Sequence, residues 1–408
     1  MVNNVEYPSK MQVLFFLGFP LPFPGAAWTR IQFMAKHFAC KGIRSTILGI
    51  FTPATLNKAL ICRDQSYQIM NSCPAICSLW GFAFNVISSM MTSLLLILIK
   101  KPTHVIISAP SLLNEQLIGV FVASKMYGSK IIFDYRDSWE DYKIVRASSQ
   151  FHRLFYKILK GVTTSIYSRS TLVVTVTTSL LEYLQEMGVK NVKLVPNGAD
   201  VTIFKPYDRS AIRKKLELNP DDFIIVYSGV VGEYYRLDIF VKALAKMCRS
   251  VKNVKLLIIG NGTGLTLVLK LSSELGLDDK IVYLGVKNDK KEVAEILSSA
   301  DVGLLPYDDN ILWKMSVPAK FYEYCSCGLP VLATAHEDSL LAEFIKEYRI
   351  GIISPPMNEE KLAGAIYWMY QNRIFREAAG KRARLLIEEK FDRNKIANDF
   401  LNLLKTVD

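Results

Sequence analysis

Short apolar runs alternate with amphipathic stretches along almost the whole chain, and this alternation limits the available folds more than any other feature. Twelve runs are typical of buried strands: MQVLFFLGF, STILGI, HVIISAP, KIIFDYR, TLVVTVT and VKLVPNG, then FIIVYSG, VKLLIIG, IVYLG, VGLLPY, PVLAT and GIIS. Helical stretches fill most of the gaps between them. Strands that alternate with helices are typical of parallel sheets covered on both faces. The pattern therefore predicts an α/β protein with two doubly wound domains in series.

The length of the chain agrees with two domains, because 408 residues are more than one core usually holds. The join is predicted just after NGAD (residues 197–200), where the next stretch is polar, contains Pro206 and starts a new helix. We therefore expect a first domain over residues 1–203 and a second over residues 204–385. The helical C-terminal segment, about residues 386–408, has room to pack back on the first domain.

An uncharged run from Gln65 to Ile99 raises the question of a membrane span. Its densest part, residues 86–99, is short for a span and contains four Ser and Thr residues. It also lies between two predicted strands of one sheet, so a crossing helix would place two sides of that sheet in different compartments. We therefore expect a helix that covers the sheet, with residues 71–85 as the part that meets lipid.

The net charge of +12 is concentrated in the first half, which has 20 Lys and Arg against 10 Asp and Glu, whereas residues 201–408 have 30 against 28. Such asymmetry suggests an anionic partner surface, either lipid or nucleic acid, although ordinary solubility explains it too. The stretch KIVRASSQFHRLFYKILK (residues 143–160) carries five basic residues at helical spacing beside apolar ones. This indicates a helix that lies on a membrane surface, or else a solvated helix over a normal core.

The stretch PAKFYEYCSCGLPVLAT (residues 318–334) is the strongest candidate for chemistry. A helix is predicted to open at Pro318, and Lys320 and Glu323 share a face near its N-terminus, where free backbone N–H groups attract anions. A lysine there can hold a phosphate, and a glutamate one turn on can accept both hydroxyls of a ribose. Taken alone, the pair is explained at least as well by an exposed salt bridge.

The longer stretch SSADVGLLPYDDNILWKMSVPAKFYEYCSCGLPVLAT resembles the nucleotide-sugar-binding signature of family 4 glycosyltransferases, in the branch with a Pro-x-Lys-x-x-Glu-Tyr donor motif. Four other segments resemble that family in order and spacing: FPGAAWTRIQFMAKHFACKG, VTVTTSLLEYLQEMGVKNVKLVPNGADVTIFKP, YSGVVGEYYRLDIFVKAL and LLIIGNGTG. The resemblance implies the GT-B fold, in which two Rossmann-like domains face a cleft. It also implies a retaining transfer of a hexose from a nucleotide-sugar, GDP-mannose or a UDP-sugar.

The resemblance assigns roles in the second domain residue by residue. It implies that Glu323 binds the donor ribose and that Lys320 lies near the diphosphate. Gly229 and Gly232 would let the first loop approach the donor phosphates, and Arg236 would neutralise the departing diphosphate. The family's usual Arg-plus-Lys pair is not reproduced in EYYRLD, and Met315 stands where many members have a second glutamate.

Further site residues come from three loops. Gly260 and Gly262 of GNGTG follow a strand and open a helix, as a nucleotide-contacting loop or an ordinary strand-to-helix turn would. Gly25 lies where the family's glycine pair approaches the donor or the acceptor, with Arg30 one turn further on. Asp137, in FDYRDSWED at the end of a predicted strand, would activate or orient the acceptor as a base, unless that stretch forms an internal salt-bridge cluster.

The resemblance leaves the acceptor open. The basic first half favours a lipid-linked or glycan acceptor at an anionic membrane surface, with the enzyme in the cytoplasm, peripheral on the cytoplasmic face. Seven cysteines without zinc or disulfide spacing agree with a reducing compartment. No cofactor and no metal are expected, and no nucleic-acid-binding motif is present. The alternatives are a non-catalytic GT-B partner subunit and a nucleotide-sugar 2-epimerase, which shares the fold.

Overall fold

The computed structural model describes residues 11–22, 25–58, 61–63, 67–76, 81–109, 115–232 and 234–407. The chain divides into two compact units: unit 1 is Met1–Pro196 with Ile396–Asp408, and unit 2 is Asn197–Lys395. The sequence predicted the join seven residues later, between residues 203 and 204, and the return to the first domain at about residue 386.

Unit 1 is built on an eight-stranded sheet in the order β3-β4-β2-β1-β5-β6-β7-β8. Its strands are β1 (Gln12–Leu17), β2 (Arg44–Phe51), β3 (Ile61–Arg63), β4 (Gln68–Pro74), β5 (His104–Ala109), β6 (Lys130–Tyr135), β7 (Leu172–Thr175) and β8 (Val192–Leu194). Its helices are α1 (Ala26–Cys40), α2 (Phe82–Lys100), α3 (Glu115–Tyr127), α4 (Trp139–Val145), α5 (Gln150–Ser168) and α6 (Thr178–Glu186). A 3-10 helix spans Pro53–Lys58. All strand pairs are parallel except β3 with β4, which is antiparallel.

The six strands predicted for the first half are present, but β3 and β4 were missed. Strand β4 reads QIMNSCP, in which Ile69 is the one β-branched residue and no aromatic residue occurs, whereas strands are usually rich in both. Its Asn71 instead supports tertiary structure, because the side-chain amide accepts from Leu21 N at 2.9 Å and donates to Leu21 O at 2.6 Å. This strand therefore depends on contacts that local propensity does not show.

Unit 2 is built on a six-stranded, all-parallel sheet in the order β11-β10-β9-β12-β13-β14. Its strands are β9 (Phe223–Ser228), β10 (Val254–Ile259), β11 (Ile281–Tyr283), β12 (Val302–Pro306), β13 (Val331–Thr334) and β14 (Gly351–Ser354), all six of which the sequence predicted. Its helices are α7 (Arg209–Lys215), α8 (Leu237–Met247), α9 (Leu265–Glu274), α10 (Lys290–Ser298), α11 (Ala319–Ser326), α12 (Leu340–Glu347), α13 (Glu359–Gln371) and α14 (Arg373–Lys390), with a 3-10 helix at Ile311–Met315.

The order of the strands in unit 2 determines where a ligand can bind. The chain winds from β9 outwards to β10 and β11, then returns to the other side of β9 to form β12. The direction of winding therefore reverses between β9 and β12. In open parallel sheets, ligands bind at the carboxyl ends of the strands beside such a reversal. The loop after β9 is consequently the first place to look for a binding site.

The C-terminal segment forms two helices. Helix α14 ends at Lys390, and a last helix, α15 (Arg393–Lys405), packs into the core of unit 1 through residues such as Phe400, whose ring lies 6.0 Å from that of Phe38. Between the helices, Asp392 forms an isolated β-bridge with Ala199. The chain thus returns to unit 1 through α15, while α14 stays with unit 2.

Among the described residues, α2 is the single helix that is long and apolar enough to cross a membrane by length and composition. It connects β4 to β5, which belong to the same sheet. The expectation of a helix that covers the sheet agrees with this connection, since a helix between two strands of one sheet must return its chain to that sheet.

Candidate functional site

Lys320 lies in the first turn of α11, at the carboxyl edge of the unit 2 sheet. The helix is tied to the end of β9, because Ser228 N donates to the phenol oxygen of Tyr324 at 2.8 Å. The side chain of Lys320 is buried, and an added Cβ on Gly229 would lie only 3.4 Å from its Nζ. The two residues predicted to meet the donor phosphates, Lys320 and Gly229, are therefore adjacent.

The ammonium group of Lys320 is held between two tyrosine rings. Its Nζ lies 3.9 Å from the ring centroid of Tyr227 and 3.8 Å from that of Tyr235. Within the described part of the chain this Nζ has no hydrogen-bond partner. Burial lowers the pKa of Lys320 well below its ordinary value, and the negative charge of Glu323 offsets only part of that shift. A desolvated cation supported by ring faces is prepared to receive an anion.

Glu323 lies one turn further along α11 and is also buried. The two charges interact, since the carboxylate of Glu323 raises the pKa of Lys320 against the larger lowering by burial. An exposed salt bridge, the alternative from the sequence, is wrong because both residues are less than a tenth exposed.

Two glycine loops are joined beside Lys320. The loop after β9 and the loop after β10 are connected by hydrogen bonds from Gly229 N to Ile259 O at 2.9 Å, from Val231 N to Asn261 O at 3.0 Å and from Gly264 N to Val231 O at 2.9 Å. Gly229 and Gly260 have φ angles of 122° and 128°, which favour glycine. The loops are thus one rigid backbone surface at the edge of the sheet.

Close approach of these loops explains two of the predicted glycines. A Cβ on Gly260 would lie 1.9 Å from Gly229 O, and a Cβ on Gly262 would lie 2.3 Å from Val231 O. Gly232 has a different neighbour, since its Cβ would lie 2.8 Å from the ring of Tyr234. Gly260 and Gly262 are therefore required for loop packing whether or not they also contact a nucleotide.

Arg236 is already paired. It precedes α8, and its guanidinium donates to both carboxylate oxygens of Asp238, at 2.8 Å and 2.6 Å. This hydrogen bonding raises the pKa of Arg236. A diphosphate would have to share this guanidinium with Asp238, whereas the Nζ of Lys320 has no hydrogen-bonding competitor among the residues that the structure describes.

An aromatic cluster around Lys320 was missed from the sequence. The ring of Tyr235 stacks on Tyr307 at 5.3 Å, Tyr307 stacks on Trp313 at 5.1 Å, and Tyr234 lies 5.6 Å from Trp313. A small pocket beside this stack is lined by Tyr307, Asp308, Trp313, Ala335, His336, Ser339 and Leu341. The tyrosines in YSG and EYYR flank the glycine loop in the sequence and could have indicated this aromatic cluster.

In unit 1, the stretch FDYRDSWED forms the internal cluster that the sequence left as an alternative. Asp134 at the end of β6 pairs with Arg30 at 3.1 Å and with Arg136 at 3.7 Å, and accepts from the hydroxyl of Ser108 at 2.9 Å. Arg30 also donates to the carbonyls of Val195 and Pro196, both at 2.9 Å. Arg30 is therefore occupied in holding unit 1 together.

Asp137 and Gly25 are more accessible members of the unit 1 set. Asp137 is half-buried and follows the Asp134 cluster. Burial lowers the pKa of Arg136, and the charges of Asp134 and Asp137 offset part of that shift. Gly25 is exposed, has φ of 150° and precedes α1. The roles predicted for these two residues stay predictions. In the described ranges, no group of three or more His, Cys, Asp or Glu residues is arranged to hold a metal ion.

Comparison with known proteins finds a family similarity within unit 2. Residues 208–386 match the family model of Glycosyl transferases group 1. The N-acetyl-alpha-D-glucosaminyl L-malate synthase of Bacillus anthracis is 24% identical over 234 residues, which are 57% of this chain and 58% of that protein. The chain is thus matched to little more than half the length of this curated relative.

Two solved structures show the fold at full length. The sucrose-phosphate synthase of Thermosynechococcus elongatus superposes with a TM-score of 0.75 at 16% identity, over 98% of this chain and 99% of that one. Anabaena HepE, solved with UDP and glucose, has a TM-score of 0.72 at 16% identity, over 97% and 100%. The predicted fold of two Rossmann-like domains of the GT-B type is confirmed. In sequence, the similarity to Glycosyl transferases group 1 thus covers residues 208–386, which lie within unit 2.

Proposed function

We propose that the protein is a retaining glycosyltransferase that moves a hexose from a nucleotide-sugar to a lipid-linked or glycan acceptor. The observation that carries the proposal is the buried ammonium of Lys320, which has ring faces and a glycine loop around it but no hydrogen-bond partner among the described residues. A diphosphate is the ligand that such a site would take, and a group 1 domain is the setting in which it lies. GDP-mannose and a UDP-hexose are the first donors to test, and the UDP and glucose held by HepE support the second.

In the proposed reaction, the bond between the anomeric carbon and the diphosphate oxygen breaks, and its electron pair stays on that oxygen. The acceptor oxygen forms the new bond to the same face of the carbon. The charge of Lys320 and the backbone N–H groups of the glycine loops would stabilise the leaving diphosphate. Glu323 would bind the ribose, Arg236 would assist at the diphosphate, and Asp137 would take the acceptor proton. The proposal includes no cofactor and no metal.

The acceptor and the location rest on the charge of the first half. We propose a lipid-linked acceptor on the cytoplasmic face of a membrane, where anionic headgroups would attract the basic surface of unit 1. A mannosyl donor and a polyprenyl-linked glycan are the combination that we would try first.

The test is a transfer assay on the purified chain with GDP-, UDP- and dTDP-sugars and a short polyprenyl-linked acceptor. We expect one donor to be turned over, with retention of the anomeric configuration in the product by NMR. Lys320→Ala and Glu323→Ala should each lose most of the transfer while remaining folded, whereas Lys270→Ala, an exposed lysine on α9, should keep it. Near-wild-type turnover in both site variants would overturn the site, and no turnover of any donor would favour the non-catalytic subunit.

A further inference from the structure

Helix α2 turns its polar residues towards the protein and its large apolar residues towards solvent. The row that faces inwards includes Asn85, Ser89 and Ser93, and the last turns of the helix also bury Leu96 and Ile97. The opposite row, at helical spacing, consists of Phe84, Ile87, Met91, Leu95 and Leu98, whose side chains are 45 to 59% exposed. A surface helix of a protein surrounded only by water has the reverse arrangement. The outer row of α2 is therefore suited to an apolar environment.

The inward row of α2 is packed in the way that helices pack in lipid. Asn85 donates to the carboxylate of Glu115 on α3 at 3.1 Å. Gly119 of α3 approaches so closely that an added Cβ would lie 2.2 Å from Ser89 Oγ and 2.3 Å from Val86 O. Small residues and buried polar contacts are typical of helix pairs in membranes. The orientation of α2 is thus determined by this contact with α3, and its apolar row has to remain outside.

A second exposed apolar row lies on α5. It consists of Phe151, Leu154, Ile158 and Val162, with exposures of 74, 59, 60 and 42%. The two helices meet where the ring of Phe82 packs edge to face on Phe155, with centroids 5.8 Å apart. We call the two rows together the α2–α5 face. Nine large side chains that are about half exposed amount to several hundred Å², on the order of or above the largest apolar patch of a typical monomer, about 300–600 Å².

The charges around this face distinguish a lipid partner from a second copy of the chain. Neither α2 nor α5 contains an Asp or a Glu. Arg153 and Lys157 are exposed on α5, and Lys101 is exposed just after α2. A second copy would bring these cations together and would be repelled, whereas anionic headgroups would neutralise them.

We propose that the α2–α5 face is a membrane-docking surface, which lies in the plane of an anionic bilayer with its apolar rows at the boundary between the headgroups and the acyl chains. Basic residues beside an amphipathic apolar surface are the combination that binds such an interface. Only the link between this surface and a lipid-linked acceptor rests on the proposed function. The surface itself belongs to unit 1 and does not depend on the donor site. It assigns lipid contact to the outer row of α2, where the sequence predicted it for residues 71–85, of which residues 77–80 lie outside the described part of the chain.

The experiment is flotation of the full-length chain with vesicles of phosphatidylcholine containing about one third phosphatidylglycerol, and with phosphatidylcholine alone. We expect the wild type to float with the anionic vesicles and to bind less at high salt. The double variant Met91→Glu/Leu95→Glu should bind at least about tenfold more weakly, because two charges would enter the apolar region. Its matched control is Ile374→Glu on α14 of unit 2, a site that is 85% exposed and lies outside the face.

Three results would overturn the docking surface. These are no flotation of the wild type, equal flotation of the double variant, or a dimer in light scattering that the double variant dissociates without any vesicle binding. Donor hydrolysis without lipid separates this proposal from the proposed function. If the wild type floats but hydrolyses no nucleotide-sugar, the proposed function fails and the docking surface stands. If it hydrolyses a donor but does not float, the docking surface fails and the proposed glycosyl transfer stands.

Discussion

Lys320→Met is expected to stabilise unit 2 and to abolish transfer. Lys320 is 7% exposed, and its buried ammonium lacks a hydrogen-bond partner in the described residues. Burying an unpaired charge costs several kcal/mol, whereas a cation over a ring face returns about 0.5–2 kcal/mol for each of Tyr227 and Tyr235. Methionine fills a similar volume without a charge. We therefore expect the free energy of unfolding to rise by about 1–3 kcal/mol.

Thermal and denaturant unfolding measure this gain, which should raise the melting temperature of unit 2 by about 2–4 °C for each kcal/mol.

The dependence of this stability gain on pH has a definite sign. Burial lowers the pKa of Lys320 below the 10.5 of an unburied lysine, so between the two values the unfolded chain binds more protons. The wild type then gains stability as the pH rises. The advantage of methionine should therefore be largest below the folded-state pKa and should shrink towards pH 10.5.

Lys270→Met is the control, because Lys270 is 74% exposed and its loss should change stability by at most about 0.5 kcal/mol. A nucleoside diphosphate should raise the melting temperature of the wild type but not of Lys320→Met. If Lys320→Met is less stable than the wild type at neutral pH, the ammonium is a structural cation and the reasoning is refuted.

Three further predictions concern the remaining site and core residues. Glu323→Ala should reduce transfer strongly with little change in secondary structure by circular dichroism, because the role proposed for this buried carboxylate is to bind the donor ribose rather than to hold the fold. Asp134→Asn should lower the free energy of unfolding of unit 1 by about 3–5 kcal/mol in a denaturant titration, since it leaves the buried Arg30 without its charge partner. Gly260→Ala should weaken binding of a nucleoside diphosphate in calorimetry, because its Cβ would force the loop away from Gly229 O.

Two control variants accompany these three predictions, and each prediction has a result that would contradict it. Glu274→Gln removes a carboxylate from an exposed pair and should leave both stability and transfer unchanged. Gly276→Ala adds a Cβ with no neighbour within 4 Å but at φ of 66°, so it should cost stability and spare diphosphate binding. Transfer retained by Glu323→Ala, stability retained by Asp134→Asn, or unchanged diphosphate binding by Gly260→Ala would contradict the corresponding assignment.

The proposal for α2 shows the limit of sequence periodicity. Its length, its lack of charge and its place between two strands predict a helix on the sheet. The sequence pattern does not predict which side of this helix is buried, because an ordinary surface helix would bury Phe84 and Leu95 and expose Ser89. The structure has the opposite arrangement, and Gly119 on α3 is the reason, since the close contact there admits only small side chains.

By itself, the sequence determined most strands of both sheets, because buried strands need continuous apolar runs. It also determined that Lys320 and Glu323 share one face of a helix, because helical spacing is local. Only the tertiary structure decided that Lys320 is enclosed by Tyr227 and Tyr235. The physical reason is that burial and the loss of hydration depend on segments far apart in the chain, and these two effects turn an ordinary lysine into a desolvated cation.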